Sequence, residues 1–285
     1  MARNSQIEWT HHTFNPWWGC AKVSPACENC YAELWAKRMG QKLWGKEAPR
    51  RLFGDAHWRE PLAWNEEAKA FRVRHRVFCA SMADVFEDRE DLLKDRIRLW
   101  KLIESTPCLD WLLLTKRPEN VRSMAPWNSD EWPVNVWLGT TVENQKFAEQ
   151  RLPHLLQHKA AVRFLSCEPL LGPLNLTQWF HRQNHNPINW IIAGGESGPG
   201  ARPMHPDWPK SLLAQCQKAS VPFHFKQWGH WVPAEIAAET KKTKTIVLPS
   251  ERPVKMVRLP KKEAGRLLAG QIWDGLPAVL LKANG

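Results

Sequence analysis

The sequence predicts an α/β protein: parallel strands joined by helices, followed by a small basic C-terminal extension. Three observations carry that prediction. Short apolar runs recur roughly every 25 to 35 residues with helical stretches between them, which is the rhythm of βαβ units. Charged and small polar residues gather just after those runs, the end at which parallel α/β folds build their sites. Residues 241–262 (KKTKTIVLPSERPVKMVRLPKK) then break the rhythm, with eight basic residues, one acidic residue, prolines and β-formers but no helical period.

Taken in order, residues 6–10 (QIEWT) are expected to form the first strand. The stretch 14–39 (FNPWWGCAKVSPACENCYAELWAKRM) follows and places Cys20, Cys27 and Cys30 in one short loop. Tyr31, Leu34, Trp35 and Met39 succeed them at helical spacing, so the loop runs into an amphipathic helix. Residues 40–70, rich in Trp, Pro and charge without a sustained period, read as a long excursion holding one short helix. Residues 74–81 (RHRVFCAS) are a buried strand, and 90–104 a helix whose acidic start suits the helix dipole.

Further strands are expected at 109–115 (LDWLLLT), 135–142 (NVWLGTTV), 162–167 (VRFLSC), 188–193 (INWIIA) and 221–225 (VPFHF). Each leaves into polar residues: Ser81 and Asp84, Lys116 and Arg117, Thr141 and Glu143, Ser166 and Glu168, Glu196, then Lys226 and Gln227. Several of these exits are followed by Pro or Gly, a sharper pattern than ordinary loop polarity. Beyond Trp231 the character changes, and residues 263–273 read as a short helix laying Leu267, Leu268 and Ile272 on the body. The basic stretch before it suits nucleic-acid contact or a solvated edge hairpin.

The composition, 43% hydrophobic and 24% charged, is that of a globular chain rather than a disordered one. No run of about 18 apolar residues is present and the N-terminus lacks a hydrophobic signal core, so a cytoplasmic protein without membrane contact is expected. Seven cysteines in a reducing compartment are thiols or metal ligands rather than a disulfide framework. A net charge of +11 suits a polyanionic partner, a nucleic acid or nucleotide. The 18 tryptophans, many beside strand-like runs as at Trp111, Trp137 and Trp190, read as core packing.

The three clustered thiols allow two readings. A structural zinc site needs a fourth ligand, for which His11, His12 or Cys79 are nearest in sequence. That reading gives a zinc-stabilised nucleic-acid-binding protein without catalysis. An iron–sulfur cluster held by three cysteines instead leaves one iron free to bind a small molecule. The spacing, C-x6-C-x2-C, is longer than the usual C-x3-C-x2-C of the enzymes that bind S-adenosylmethionine (SAM) at such an iron. Position favours the cluster: the loop is N-terminal, opens into a helix and precedes a series of βα units. Cys79, Cys108, Cys167 and Cys216 lie in apolar runs and read as core residues.

The segments NPWWGCAKVSPACENCYA, FCASMADVFED, LLLTKRPENV, VWLGTTVENQ, RFLSCEPLLGPL, WIIAGGESGPGARPM and PFHFKQWG resemble, in this order, those of a phage and prophage family of unknown function assigned to the radical SAM superfamily. The resemblance implies a partial (β/α)6-type radical SAM barrel over residues 1–232, with a basic extension over 233–285 packing on it. It also implies a [4Fe-4S] cluster on Cys20, Cys27 and Cys30, SAM as cosubstrate, and a reductant protein such as flavodoxin or ferredoxin as partner. Tyr31 resembles the aromatic residue often found beside such a loop.

Site roles follow from position within that resemblance. Ser81, Asp84, Glu143, Gly194, Gly195 and Glu196 are the candidates for holding SAM, the two glycines by close backbone approach. Arg117, Arg202, Lys226 and Gln227 supply donors for a phosphate or carboxylate on the substrate. Glu168 and Lys116 are the catalytic candidates, Glu168 as acceptor or proton carrier. The substrate expected is a nucleobase or nucleotide, with DNA modification as the setting.

Overall fold

The computed structural model describes residues 5–128, 131–180, 187–237 and 243–278. Seven strands form one sheet in sequence order: β1 (His12–Thr13), β2 (His75–Cys79), β3 (Leu109–Thr115), β4 (Val136–Thr141), β5 (Val162–Cys167), β6 (Trp190–Gly194) and β7 (Phe223–Gln227). Every neighbouring pair is parallel, which is the expected α/β arrangement. The strands from β2 onward are mostly buried on both faces, which explains their near-continuous apolar runs. The main helices are α1 (Tyr31–Arg38), α2 (Asp55–Ala70), α3 (Leu93–Glu104), α4 (Gln145–Leu155) and α5 (Asp207–Ala219).

One face of the sheet, through Val77, Leu113, Leu138, Leu165 and Ile191, packs on helix residues such as Leu99, Leu152 and Leu212. The other face carries Phe78, Leu112, Trp137, Phe164, Trp190 and Ile192, gathered around Trp9. The Trp9 ring meets Phe78 of β2 edge-on at 4.7 Å and Trp190 of β6 at 6.1 Å between centroids. In a flat sheet those strands, four steps apart, would stand about 19 Å from each other. The sheet is therefore curled around Trp9 into an open, partial barrel. Gly139 of β4 belongs to this inner face, where a Cβ would lie 2.4 Å from the Phe164 ring that fills the space above it.

The C-terminal residues add a small antiparallel sheet of β8 (Trp231–Pro233), β9 (Thr245–Leu248) and β10 (Val254–Arg258), in the order β8-β10-β9. The basic stretch is thus a hairpin, with residues 241 and 242 lying outside the described residues. Val257, Leu259, Ala264 and Leu268 join the same core as the barrel helices. No helix among the described residues is long and apolar enough to cross a membrane.

Three elements differ from expectation. The first strand is His12–Thr13 rather than 6–10, because Trp9 turns under the barrel instead of pairing along its edge. The excursion at 40–70 holds a helix of 16 residues, α2, whose internal Pro61 interrupts the periodic signal. The C-terminal helix covers only Lys261–Ala264 and stops at Gly265, whose φ of +69° ends the turn.

Candidate active site

A cavity of about 430 Å³ opens at the C-terminal end of the sheet. Cys20, Cys27 and Cys30 form part of its wall, and Tyr31 stands beside them. Opposite lie Ser81 and Asp84 after β2, Lys116 and Arg117 after β3, Thr141 at the end of β4, and Ser166 and Glu168 around the end of β5. Gly195 and Glu196 after β6, then Lys226 and Gln227 in β7, complete this rim. The strand ends that read as polar exits in the sequence do converge on one space.

The cysteine loop is built by its neighbours. Pro25–Cys27 is a single 3-10 turn and Cys30 is the N-cap of α1. Arg117 Nη2 donates to the Ala21 carbonyl at 2.8 Å and Nη1 donates to Cys20 Sγ at 3.7 Å. Glu87 accepts from the Ala21 N–H at 3.0 Å while Arg50 holds its carboxylate at 2.7 and 3.0 Å. Asn15 accepts from Met82 N at 2.6 Å and donates to Ser81 Oγ at 3.1 Å, joining the start of the loop to the end of β2.

At its other end Asn29 donates to Glu196 Oε2 at 3.0 Å and to the Gly200 carbonyl at 2.8 Å. Arg202 donates to Glu196, to Glu28 at 2.9 Å and to the Pro25 carbonyl at 2.8 Å.

This placement reassigns several residues. Arg117 and Arg202, expected to hold substrate, have their donors occupied by the cysteine loop and its carboxylate partners, and Arg202 is not on the cavity wall. Asp84 lines the cavity but already accepts from Thr115 Oγ1, Lys116 N, Phe86 N and Arg117. Glu143 lies behind the wall, fully buried, with Oε2 2.7 Å from Arg151 Nη1. Gly194 is not on the wall either, and Gly195 is required by packing, since a Cβ there would lie 2.0 Å from the Trp228 carbonyl oxygen. Glu196 is nearly buried and engaged by Arg202 and Asn29.

Glu168, Lys226 and Gln227 form a compact triad facing the cavity. Glu168 accepts from Lys226 Nζ at 2.7 Å and from Gln227 Nε2 at 2.8 Å. Gln227 Oε1 and Thr141 Oγ1, on residues of this wall, are buried without a hydrogen-bond partner. Below them Ile7, Trp9, Phe78 and Leu114 supply an apolar floor.

A zinc site needs a fourth ligand beside the three thiols, and the candidates nearest in sequence do not join them. Tetrahedral zinc with Zn–S bonds of about 2.3 Å brings its sulfurs within about 3.8 Å of one another. Among the described residues no three His, Cys, Asp or Glu side chains are gathered for one ion. The expected fourth ligands are engaged elsewhere. His11 Nδ1 accepts from Arg76 N at 2.8 Å, and His12 stacks on Trp64 at 4.4 Å with its Nε2 3.2 Å from His75. Cys79 is fully buried in β2. Burial, reinforced by the Asp84 charge, pushes the Cys20 thiol up to about 12, against the pull of Arg117. Such a thiol ionises when a metal takes the place of its proton.

The residues that sequence reasoning missed are the supports: Asn15, Asn29, Arg50 and Glu87, together with Lys261 of the C-terminal extension, which also lines the cavity. Arg50 and Glu87 are 37 residues apart, and neither follows a strand closely enough to stand out.

Curled parallel sheet, cysteine loop and strand-end cavity together define an α/β partial-barrel protein with its site at the C-terminal mouth. The chain belongs to the family described as "Protein of unknown function (DUF5131)", which matches residues 4–277. No curated protein matches it. Among solved structures it is similar to a mutant of spore photoproduct lyase with bound AdoMet and dinucleoside spore photoproduct, at 11% identity and a TM-score of 0.47. It is also similar to spore photoproduct lyase complexed with dinucleoside spore photoproduct, at 12% identity and a TM-score of 0.46. Each likeness covers 91% of this chain and 71% of the other.

Proposed function

We propose that the protein is a radical SAM enzyme whose Cys20, Cys27 and Cys30 hold a [4Fe-4S] cluster and whose substrate is a nucleobase or nucleotide. The observation that carries this reading is that the three thiols share one cavity wall with the polar ends of the strands. When bound, such a cluster supplies the electron that cleaves the sulfonium of SAM, giving a deoxyadenosyl radical able to abstract hydrogen.

The chain's own residues prepare that chemistry. Arg117 and Glu87 fix the Cys20 end of the loop, while Asn29, Glu196 and Arg202 fix the segment between Cys27 and Cys30. Tyr31 donates to the Ser81 carbonyl at 2.7 Å and so ties the start of α1 to the exit of β2. Ser81 and Thr141, on the cavity wall, are hydroxyl residues at hand for the amine or ribose of SAM. Glu168, held by Lys226, can accept or return a proton at the substrate. The apolar floor excludes water from the reacting carbon. A nucleic-acid substrate accords with the net charge of +11, and DNA modification is the setting we favour. Flavodoxin or ferredoxin would be the electron donor.

Anaerobic purification and reconstitution test the reading. The expected result is a brown protein with about four iron and four sulfide per chain, forming 5′-deoxyadenosine from SAM under reductant. Replacing Cys20, Cys27 and Cys30 together by Ala should abolish both. A colourless protein that retains one tightly held zinc would overturn it in favour of a zinc-stabilised nucleic-acid-binding protein.

A further inference from the structure

The cavity wall carries four lysines, Lys22, Lys116, Lys226 and Lys261. Lys226 is paired with Glu168, Arg117 with Asp84, and Lys22 with Glu33. Lys116 and Lys261 also face the space, and among the described residues neither has an ion-pair partner. The carboxylates that act on Lys261 are Glu168, already engaged by Lys226, and Glu8, which lines the same cavity from the N-terminal segment without forming an ion pair with it. Partial loss of water around the exposed Lys261 ammonium and the Lys226 charge both work against it, holding its pKa below the ordinary lysine value.

Lys261 is exposed, but its place at the cavity is fixed by its backbone. The short helix it opens is fixed on both sides: Leu259 is buried and its N–H donates to the His230 carbonyl at 3.0 Å, while Ala264 and Leu268 sit in the main core. The Trp228 indole donates to the Leu267 carbonyl at 2.8 Å. The extension therefore brings Lys261 to the cavity as part of the fold.

Lys226 and Lys261 repel one another across this wall, and an anion arriving between them relieves that cost. Ammonium groups bind phosphate well as point charges, and a phosphate can accept from several at once. The apolar floor of Ile7, Trp9, Phe78 and Leu114 suits the flat body that a phosphate of this kind would accompany.

We propose that Lys261 of the C-terminal extension, with Lys226, forms a phosphate subsite, so that the substrate is a nucleotide rather than a free base or nucleoside. This rests on the reading of the cavity as the substrate site of a radical SAM enzyme. The other anion that could seek these lysines is the carboxylate of SAM, and the test separates the two.

Binding is measured on the full chain carrying Ala at Cys20, Cys27 and Cys30, so that no cluster is needed, by tryptophan fluorescence and calorimetry. The probes are the four deoxynucleoside monophosphates, the four matching nucleosides, and SAM. At least one nucleotide should bind about ten-fold more tightly than its nucleoside, the worth of a charge-assisted contact. Lys261→Gln should collapse that gap and Lys261→Arg should keep most of it, with the unfolding midpoint unchanged in both.

The proposal is overturned if no nucleotide outbinds its nucleoside, if Lys261→Gln leaves the gap intact, or if that variant weakens SAM instead. A phosphate-dependent gap in a protein that makes no deoxyadenosine after reconstitution would leave this subsite standing while removing the radical chemistry.

Discussion

Arg117 engages Cys20 and Asp84 at once: its Nη1 lies 3.7 Å from the Cys20 sulfur and 2.9 Å from Asp84 Oδ2. Both charged side chains are almost fully buried, and Glu87 lies 3.8 Å from the other guanidinium nitrogen. Through this one guanidinium the exits of β2 and β3 determine where the first thiol of the loop stands. A residue that reads as a substrate-binding cation in sequence is, in the fold, a positioning residue.

Arg117→Ala is expected to destabilise the chain by about 3–5 kcal/mol, because it leaves the Asp84 carboxylate buried without its partner. Iron uptake should fall with it, since Cys20 and Ala21 lose their anchor. Urea unfolding and iron per chain after reconstitution check both effects. Arg117→Lys should recover part of the stability but less of the iron, because an ammonium cannot span Asp84, Cys20 and the Ala21 carbonyl together. Unchanged unfolding and iron in the Ala variant would show that the loop is held by other means.

Arg202 should behave differently, because its side chain is 31% exposed and its partners include the exposed Glu28. Arg202→Ala is expected to cost about 1–3 kcal/mol, less than Arg117→Ala because the nearly buried Glu196 keeps Asn29 and the residue-202 N–H as donors. Its effect should be local: it removes the tie from Glu196 to the Pro25 carbonyl, so amides of residues 24–30 should exchange faster. Hydrogen exchange on the metal-free chain reads this directly. Equal protection in the variant would rule out Arg202 as the clamp.

The strands were legible in the sequence because buried parallel strands write long apolar runs, and their polar exits mark the end where the cavity forms. The cysteine loop was legible from spacing alone. The roles of Arg117 and Arg202 were not, because a basic residue after a strand looks the same whether its guanidinium meets a ligand or a backbone carbonyl. Glu143 misled for a similar reason: about two turns of α4 bring Arg151 back onto it and draw the carboxylate behind the wall. Lys261 was hidden by its neighbours, since a lysine in a run of basic residues gives no sign that the chain folds back to the mouth of the barrel. Trp9 looked like part of a strand, and only closure of the sheet shows what its ring is for.

Stability should fall as pH drops from about 6.5 toward 4. His158 and His224 are each 2% exposed, and each is lowered to about 4. Burial is the main cause for both, helped by Arg122 and His154 for His158 and by Arg266 for His224. Between those pH values the unfolded chain binds protons that the folded chain refuses, so stability rises with pH across the window and is fully present above 6.5. The contribution is on the order of 1–3 kcal/mol for each histidine. Urea midpoints at pH 7, 5.5 and 4.5 should decline in step, and His158→Gln should flatten the decline. A midpoint that does not move over this range would contradict the assignment.

Trp9→Ala should be among the most damaging single changes away from the cysteine loop. The ring is 3% exposed and makes edge contacts with Phe78 and Trp190, on strands that meet only because the sheet closes around it. Removing it leaves a void between β2 and β6, with an expected cost of about 3–5 kcal/mol. Trp9→Phe keeps an aromatic edge in the same space and should cost less than half as much. The ring is also part of the cavity floor, so the void should join the substrate space rather than stay sealed. Water entering there would loosen the fit of any flat ligand, and nucleotide binding should weaken even in preparations that remain folded. Denaturant unfolding and nucleotide titration on the same samples separate the two effects. A Trp9→Ala protein with wild-type stability would mean that the curl is held by the strands themselves.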